Sequence, residues 1–165
     1  MGRLLKRLAD LFALAAGLIL LAIVLVTTFN VGAFTLDRIA ALFGTDVAGL
    51  PGYEDFVRLA ISAAGLMFFP WCQWHRGHVA VDLFMERAPM IVQRRIDQIW
   101  LAATAAVALF LGYWMVFGLL ENRSDAVVTG VLGWPEWPFY VPGIASLVLW
   151  AAIALAQLAG EPSRA

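Results

Sequence analysis

The chain has 165 residues, of which 62% are hydrophobic and 14% are charged, and its formal net charge is −1. Soluble domains carry charge on about a quarter of their residues, so this composition excludes an ordinary soluble domain and predicts an all-α integral membrane protein. We expect residues 1–165 to form a single membrane domain. The near-neutral charge argues against a nucleic-acid partner.

Four stretches with few or no charges predict four transmembrane helices. We place these spans at about residues 8–30, 55–74, 96–120 and 138–159. The first stretch, between Asp10 and Asp37, is long enough to cross about 30 Å of hydrocarbon at about 1.5 Å per residue. The second has the shortest uncharged core, Leu59–Trp74, and reaches full length if Arg58 extends its side chain to the membrane surface.

Residues 79–88, between the second and third spans, predict a short interfacial amphipathic helix. At about 100° per residue, Asp82 and Glu86 fall on one side of that helix, while most of its other residues are apolar. We expect Pro89 to end it, because proline breaks a helix interior. The third span would then rise from this point.

The basic residues predict the orientation of the spans. Eight of the 11 Lys and Arg residues lie before the first span, between the second and third spans, or in the C-terminal tail. The positive-inside rule therefore places both termini and the middle loop in the cytoplasm. In that orientation Trp71 and Trp74 are expected to lie at the cytoplasmic interface, as part of an aromatic belt.

The stretch WCQWHRGHVAVD groups rare residues that could bind a metal. On one helix Cys72, His75, His78 and Asp82 would share a face, but ten residues extend about 15 Å, too far for one ion to reach them all. Bis-histidine haem ligation needs histidines on two facing helices, and here both lie at one end of one span. We therefore expect no metal and no cofactor, although a haem- or metal-binding membrane anchor of a redox complex stays open as an alternative.

The chain also lacks the sequence signs of an enzyme or of a transporter that works alone. It contains neither a phosphate-binding glycine motif nor a serine nucleophile motif, so we predict no catalytic residues. The middle of each predicted span is uncharged, whereas transporters of charged solutes place ionisable groups or broken helices there. Small residues recur in all four spans and permit close packing within the bundle or against a partner.

FFPWCQWHRGHVAVDLF, together with the upstream GYEDFVRL, resembles the signature of the small (Q-type, DctQ-like) permease subunits of tripartite ATP-independent periplasmic (TRAP) transporters. Those subunits have a glutamate at the start of their second helix and a Gly-His-Ile/Val-x-Val-Asp block after its end. The matching residues here are Glu54, Gly77, His78, Val79, Val81 and Asp82, and Pro70 and Gln73 match a common variant. The resemblance covers nearly the whole chain.

The resemblance implies a non-catalytic subunit of a bacterial inner membrane that braces a larger permease subunit. The large subunit would carry the substrate and sodium sites, and a periplasmic binding protein would deliver an organic acid. Structural or interface roles are then expected for Glu54, Arg58, Gln73, Arg76, Gly77, His78 and Asp82. Spacing of four residues allows His78 to bond Asp82 and Glu54 to pair with Arg58. Another binding-protein-dependent carboxylate transporter remains an alternative, but its small subunit should lack the His-Val-x-Val-Asp block.

Overall fold

The computed structural model describes residues 2–46, 48–75 and 89–160. Its helices are α1 (Gly2–Ala40), α2 (Tyr53–Met67), α3 (Phe69–Trp74), α4 (Met90–Ser124) and α5 (Tyr140–Leu158), with 3₁₀ turns at Ala41–Phe43 and Trp137–Phe139. Within the described residues, four helical segments are long and apolar enough to cross a membrane, which confirms the all-α membrane fold. The interfacial helix predicted at residues 79–88 lies outside the described residues.

Helix α1 has 39 residues and continues past the expected end of the first span at Asn30. At about 1.5 Å per residue it is about 58 Å long, well beyond the thickness of a hydrocarbon core. A helix satisfies its own backbone hydrogen bonds in lipid and in water alike, so loss of hydrophobicity does not end it. Asn30 is buried, and its Oδ1 accepts a hydrogen bond from the backbone N–H of Leu50 at 2.9 Å. This bond holds the first loop against α1.

The second predicted span consists of two helices, α2 and α3, with a turn at Phe68 between them. Pro70 is the cause, since it has no N–H to donate to the carbonyl of Leu66 four residues earlier. The interruption is short, because the backbone N–H of Cys72 already donates to the carbonyl of Phe68 at 3.0 Å. The pair therefore forms one kinked span.

Helix α5 lies at the centre of the bundle and contacts α1, α2, α3 and α4. Helix α4 packs on α5 through its small buried residues Ala105, Ala108 and Gly112. A Cβ at Gly143 would lie 2.8 Å from a methyl carbon of Leu66 and 2.9 Å from that of Met115. Glycine at this position therefore permits the close approach of α2, α4 and α5.

The two ends of the bundle are named here by what they carry: the termini end by residues 2–10 and 150–160, and the loop end by residues 41–52 and 125–136. Trp74 is buried at the termini end, in a cluster with Leu5, Ala9, Leu149 and Ile153. It does not face the surroundings as an aromatic-belt residue would, and that part of the interface prediction is wrong. Trp71, 40% exposed, does face outward.

Candidate functional site: polar contacts between α2–α3 and α5

Three of the seven predicted site residues lie in the described structure, and each is on the kinked span. Glu54 and Arg58 are in the first turns of α2, and Gln73 is near the end of α3. The other four, Arg76, Gly77, His78 and Asp82, lie outside the described residues. The described residues place Gln73 and Arg58 in two of three groups of polar contacts with the fourth span and the loop before it.

The first group lies at the loop end and includes an ion pair that differs from the expected one. Arg58 Nη2 lies 2.5 Å from Glu136 Oε1, just before the 3₁₀ turn that leads into α5. The predicted pairing of Arg58 with Glu54 is therefore wrong. Glu54 is exposed, and its Oε1 accepts a hydrogen bond from the hydroxyl of Tyr53 at 3.2 Å. A partner 78 residues away was preferred to the neighbour one helical turn away because the loop returns over the start of α2.

Asp55 completes the first group and was not among the predicted site residues. Its Oδ2 accepts hydrogen bonds from the backbone N–H groups of Val131 and Leu132 at 2.8 and 3.1 Å. The loop itself is a tight turn, with the N–H of Thr129 donating to the carbonyl of Trp134 at 2.9 Å. A carboxylate that receives two backbone donors is a strong, directional fixing point. Asp55 therefore holds the loop at 125–136 over the start of α2.

The second group lies near the middle of the spans and compensates for the kink. The hydroxyl of Ser146, on α5, donates to the carbonyl of Leu66 at 2.7 Å. This is the carbonyl that Pro70 leaves without its helical donor. Ser146 is fully buried, so the bond satisfies two polar groups in a region where water cannot.

The third group is a buried network at the termini end, built around Gln73. The side-chain Nε2 of Gln73 donates to Gln157 Oε1 at 2.7 Å, and Trp150 Nε1 donates to Gln73 Oε1 at 3.1 Å. Gln157 Nε2 in turn donates to the backbone carbonyl of Gln73 at 3.0 Å. Gln73 and Gln157 are 5% and 7% exposed. All three hydrogen bonds join α3 to α5, and none of them involves a charged group.

The structure describes two further polar residues of WCQWHRGHVAVD, the exposed His75 and the half-buried Cys72. His75 Nδ1 lies 3.0 Å from the carbonyl oxygen of Trp71, and the two rings stack with centroids 4.3 Å apart. Cys72 is a half-buried free thiol. Among the described residues, no group of three His, Cys, Asp or Glu side chains could hold a metal ion. These contacts give His75 a structural role that its sequence position did not reveal.

Sequence reasoning missed the residues that complete each group on the side of the fourth span: Glu136, Ser146, Trp150 and Gln157. Only Gln157 carried a signal, as a lone amide near the end of an apolar span. A polar side chain at such a place is expected to find a partner inside the bundle. The arrangement fixes one span against another and contains no group placed for covalent chemistry.

Comparison with known families identifies the kind of protein that the chain is similar to. A family model described as the DctQ component of the tripartite ATP-independent periplasmic transporters matches residues 46–161. This range contains α2, α3, α4 and α5, and with them all three groups of polar contacts. No curated protein and no solved structure matches the chain.

Proposed function

We infer the function from family membership: the chain belongs to the DctQ components of the TRAP transporters. It is therefore the small membrane subunit of such a transporter, and its described part includes four helical segments able to cross the membrane. This membership favours a transport role over the haem- or metal-binding anchor. It also favours a TRAP transporter over other binding-protein-dependent carboxylate transporters.

Within that transporter we propose that the chain braces the large permease subunit and does not move substrate itself. The observation that carries this proposal is the joining of α2–α3 to α5 and to the loop before it at three levels: through Arg58 and Asp55 to the loop, and through Ser146 and Gln73 within the spans. Spans fixed at both ends and in the middle cannot slide past one another without breaking buried hydrogen bonds. A rigid unit of this kind suits the static part of a transporter.

We further propose the remaining parts of the machine from the family. A larger permease subunit holds the sites for an organic acid and for sodium, and a periplasmic binding protein delivers the acid. The chain lies in the bacterial inner membrane, in contact with lipid, with both termini in the cytoplasm. The charge distribution of the sequence supports that orientation, since the loops expected outside carry three of the 11 basic residues.

Arg76, Gly77, His78 and Asp82, which follow α3 in the sequence, are proposed to have structural or interface roles, and Glu54 to contact another subunit. Glu54 is suited to this because it is exposed and its only described contact is with the adjacent Tyr53. His78→Ala with Asp82→Ala should lower recovery of the assembled complex or its uptake rate. Unchanged assembly and uptake in this double variant would remove the proposed role for the pair.

Reconstitution tests the proposed function. The large permease subunit is placed in proteoliposomes with or without this chain, and the purified binding protein is added outside. The substrate is chosen beforehand by screening mono- and dicarboxylic acids for a rise in the melting temperature of the binding protein. We expect uptake of the radiolabelled acid only with both membrane subunits present and an inward sodium gradient imposed.

Two controls separate the parts of this proposal. Replacing the sodium gradient with an equal potassium gradient should abolish uptake, and uptake that persists would contradict sodium coupling. Full uptake by the large subunit alone would contradict the bracing role. A Soret band or a stoichiometric metal in the purified chain would instead support the alternative, a haem- or metal-binding anchor of a redox complex.

A further inference from the structure

Helix α4 carries a cluster of four aromatic residues on its surface: Phe110, Tyr113, Trp114 and Phe117. Their spacing of three and four residues places them on one face. All four are largely exposed, at 62%, 59%, 57% and 47%. The rings touch one another, with centroids 4.8 Å apart for Tyr113 and Phe117 and 5.8 Å apart for Tyr113 and Trp114. This cluster, called the aromatic face below, is the largest concentration of exposed rings on the described helices.

The aromatic face points away from the rest of the bundle. Helix α4 uses its small residues Ala105, Ala108 and Gly112 to approach α5, so its bulky residues are left on the other sides. Helix α4 contacts α5 and the 3₁₀ turn before it, which makes it the most peripheral of the long helices. The aromatic face therefore has no cover from the described part of the chain.

The depth of this face can be read from its neighbours. A Cβ on Gly112 would lie 3.7 Å from Leu147 Cβ. Leu147 is at the middle of the 22-residue helical segment Trp137–Leu158, which at about 33 Å matches a hydrocarbon core of about 30 Å. Tyr113 and Trp114 follow Gly112 directly, so they start within about 3 Å of the middle of the membrane.

Tyrosine and tryptophan at this depth do not suit a lipid surface. Both are enriched where their polar groups reach the headgroups, about 15 Å from the membrane centre. Side chains on a helix lean toward its N-terminus. The side chains of Tyr113 and Trp114 therefore lean away from the loop end, although this is the nearer membrane surface for both residues. Within the described residues, no hydrogen bond involves the Tyr113 hydroxyl or the Trp114 indole N–H. Hydrocarbon offers no acceptor for them.

Helix α1 shows by contrast what a lipid-covered face looks like in this molecule. Its exposed residues over the same depth are aliphatic, with Leu11, Leu14, Leu18 and Leu21 each 54–62% exposed. Leucine side chains are as apolar as lipid tails and need nothing from them. The two exposed faces thus differ in chemistry, and only that of α4 needs hydrogen-bond acceptors.

We propose that the aromatic face of α4 is the surface on which a transmembrane helix of the large permease subunit docks. That helix supplies acceptors, backbone carbonyls or hydroxyl oxygens, to Tyr113 and Trp114. Aromatic residues at the centre of interfaces are typical binding determinants. The inference rests on the proposed function, because the partner is the large TRAP permease subunit.

Photo-crosslinking in the complete complex tests this docking surface. The photoreactive residue p-benzoyl-phenylalanine is placed at Phe110 or Phe117, and at Leu14 as the control. Leu14 is 62% exposed and lies near Ala16, which packs against Ala64 in the middle of α2–α3, so its depth is matched. We expect adducts with the co-expressed large permease subunit from Phe110 and Phe117 but not from Leu14.

Several outcomes would overturn the proposal. They are an adduct of two copies of this chain from Phe110 or Phe117, adducts with lipid only, or large-subunit adducts of equal yield at all three positions. Co-purification of the unmodified chain with the large subunit is measured in parallel. If it succeeds while the aromatic face gives no large-subunit adduct, the docking surface is wrong and the proposed function stands. If it fails, the proposed function is wrong as well.

A second measurement addresses the hydrogen bonds alone. Tyr113→Phe combined with Trp114→Phe keeps two aromatic rings but removes both donors. We expect recovery of the large subunit to fall roughly three- to tenfold, as for two modest hydrogen bonds within a membrane. Trp100→Phe is the control, since Trp100 is also exposed on α4 but lies 12 residues before Gly112, near the membrane surface. Unchanged recovery in the double variant would contradict the assigned donors.

Discussion

Gln157 is the single side chain on which two hydrogen bonds of Gln73 depend. Gln157→Leu should therefore leave the buried amide of Gln73 without an acceptor and lower the free energy of unfolding by about 1–2 kcal/mol. The measurement is thermal unfolding of the purified chain in detergent. Gln98→Leu on the exposed surface of α4 is the control and should have little effect.

The same network predicts how a second substitution acts. In Gln73→Leu with Gln157→Leu, the stranded amide of the first variant is gone, and two apolar side chains face each other. The double variant should therefore lose less stability than the sum of the two single variants. Strict additivity would show that the two amides do not interact in the folded chain.

Substitutions of Asp55 and Arg58 should affect the loop at 125–136 to different extents, although both residues join α2 to it. Asp55 receives two backbone donors, whereas the Arg58–Glu136 pair is exposed, with 62% of the Arg58 side chain accessible, and such pairs contribute about 0–1 kcal/mol. Asp55→Ala should accelerate amide hydrogen exchange at Val131 and Leu132 by tenfold or more, and Arg58→Ala much less.

Glu54→Ala serves as the matched control for that exchange experiment. Its carboxylate is adjacent in sequence but contacts Tyr53 only, so the amides of Val131 and Leu132 should exchange as in the unmodified chain. Equal acceleration by all three substitutions would mean that the start of α2, and not the Asp55 carboxylate, holds the loop.

At the residue scale, the sequence identified positions more readily than partners. Gln73 was singled out through its resemblance to a family variant, but its partner lies 84 residues away, and no local pattern specifies such a pairing. Local spacing suggested that Arg58 would pair with Glu54, and the fold supplied Glu136 instead. Side-chain contacts between distant spans depend on packing, which hydrophobic periodicity does not encode.

At the scale of elements, the kink in the second span and Ser146 form one feature. Ser146→Ala should cost about 1 kcal/mol, because the carbonyl of Leu66 loses its donor inside the bundle. Pro70→Ala restores a backbone N–H that can donate to the same carbonyl. In that background Ser146→Ala should cost clearly less, and thermal unfolding of the four variants measures the difference.

Ser62→Ala is the control for the comparison of these four variants, because the Ser62 hydroxyl is exposed and donates within α2 to the carbonyl of Arg58. Its effect should be small and should not depend on Pro70. If Ser146→Ala lowers the stability equally with and without Pro70, the Ser146 hydroxyl does not compensate for the kink.

The existence of the elements followed from the sequence because membrane helices are set by uncharged length, a property of each stretch alone. Their ends did not. Helix α1 continues through Asp37 and Arg38 to Ala40, since charges in water do not stop a helix. The kink at Phe68 follows from Pro70, but the prediction of the second span depended on its uncharged length, a criterion that does not take proline into account.

At the scale of the whole molecule, the four membrane-crossing segments among the described residues are an even number, which predicts that the two ends of the chain lie on one side of the membrane. The termini end gathers Arg3, Lys6 and Arg7 at the start of α1 and Arg94 and Arg95 at the start of α4. The loop end has Arg38, Arg58 and Arg123, with Arg58 paired to Glu136. This asymmetry of charge predicts that the termini end faces the cytoplasm.

Labelling of single cysteines measures that orientation directly. Cys72→Ser removes the only cysteine of the chain, and Arg3→Cys or Asp46→Cys then introduces one at either end. A maleimide that cannot cross membranes should label Asp46→Cys in intact cells whose outer membrane has been permeabilised, and should label Arg3→Cys only after the inner membrane is disrupted. The reverse labelling pattern would show that the molecule has the opposite orientation. Phe117, the residue of the aromatic face that is nearest to the loop end, would then lie in the cytoplasmic half of the membrane and not in the periplasmic half.

Because the orientation depends on summed charge, replacing Arg3, Lys6 and Arg7 together by asparagine should produce a detectable fraction of inverted chains, whereas removing Arg58 should not.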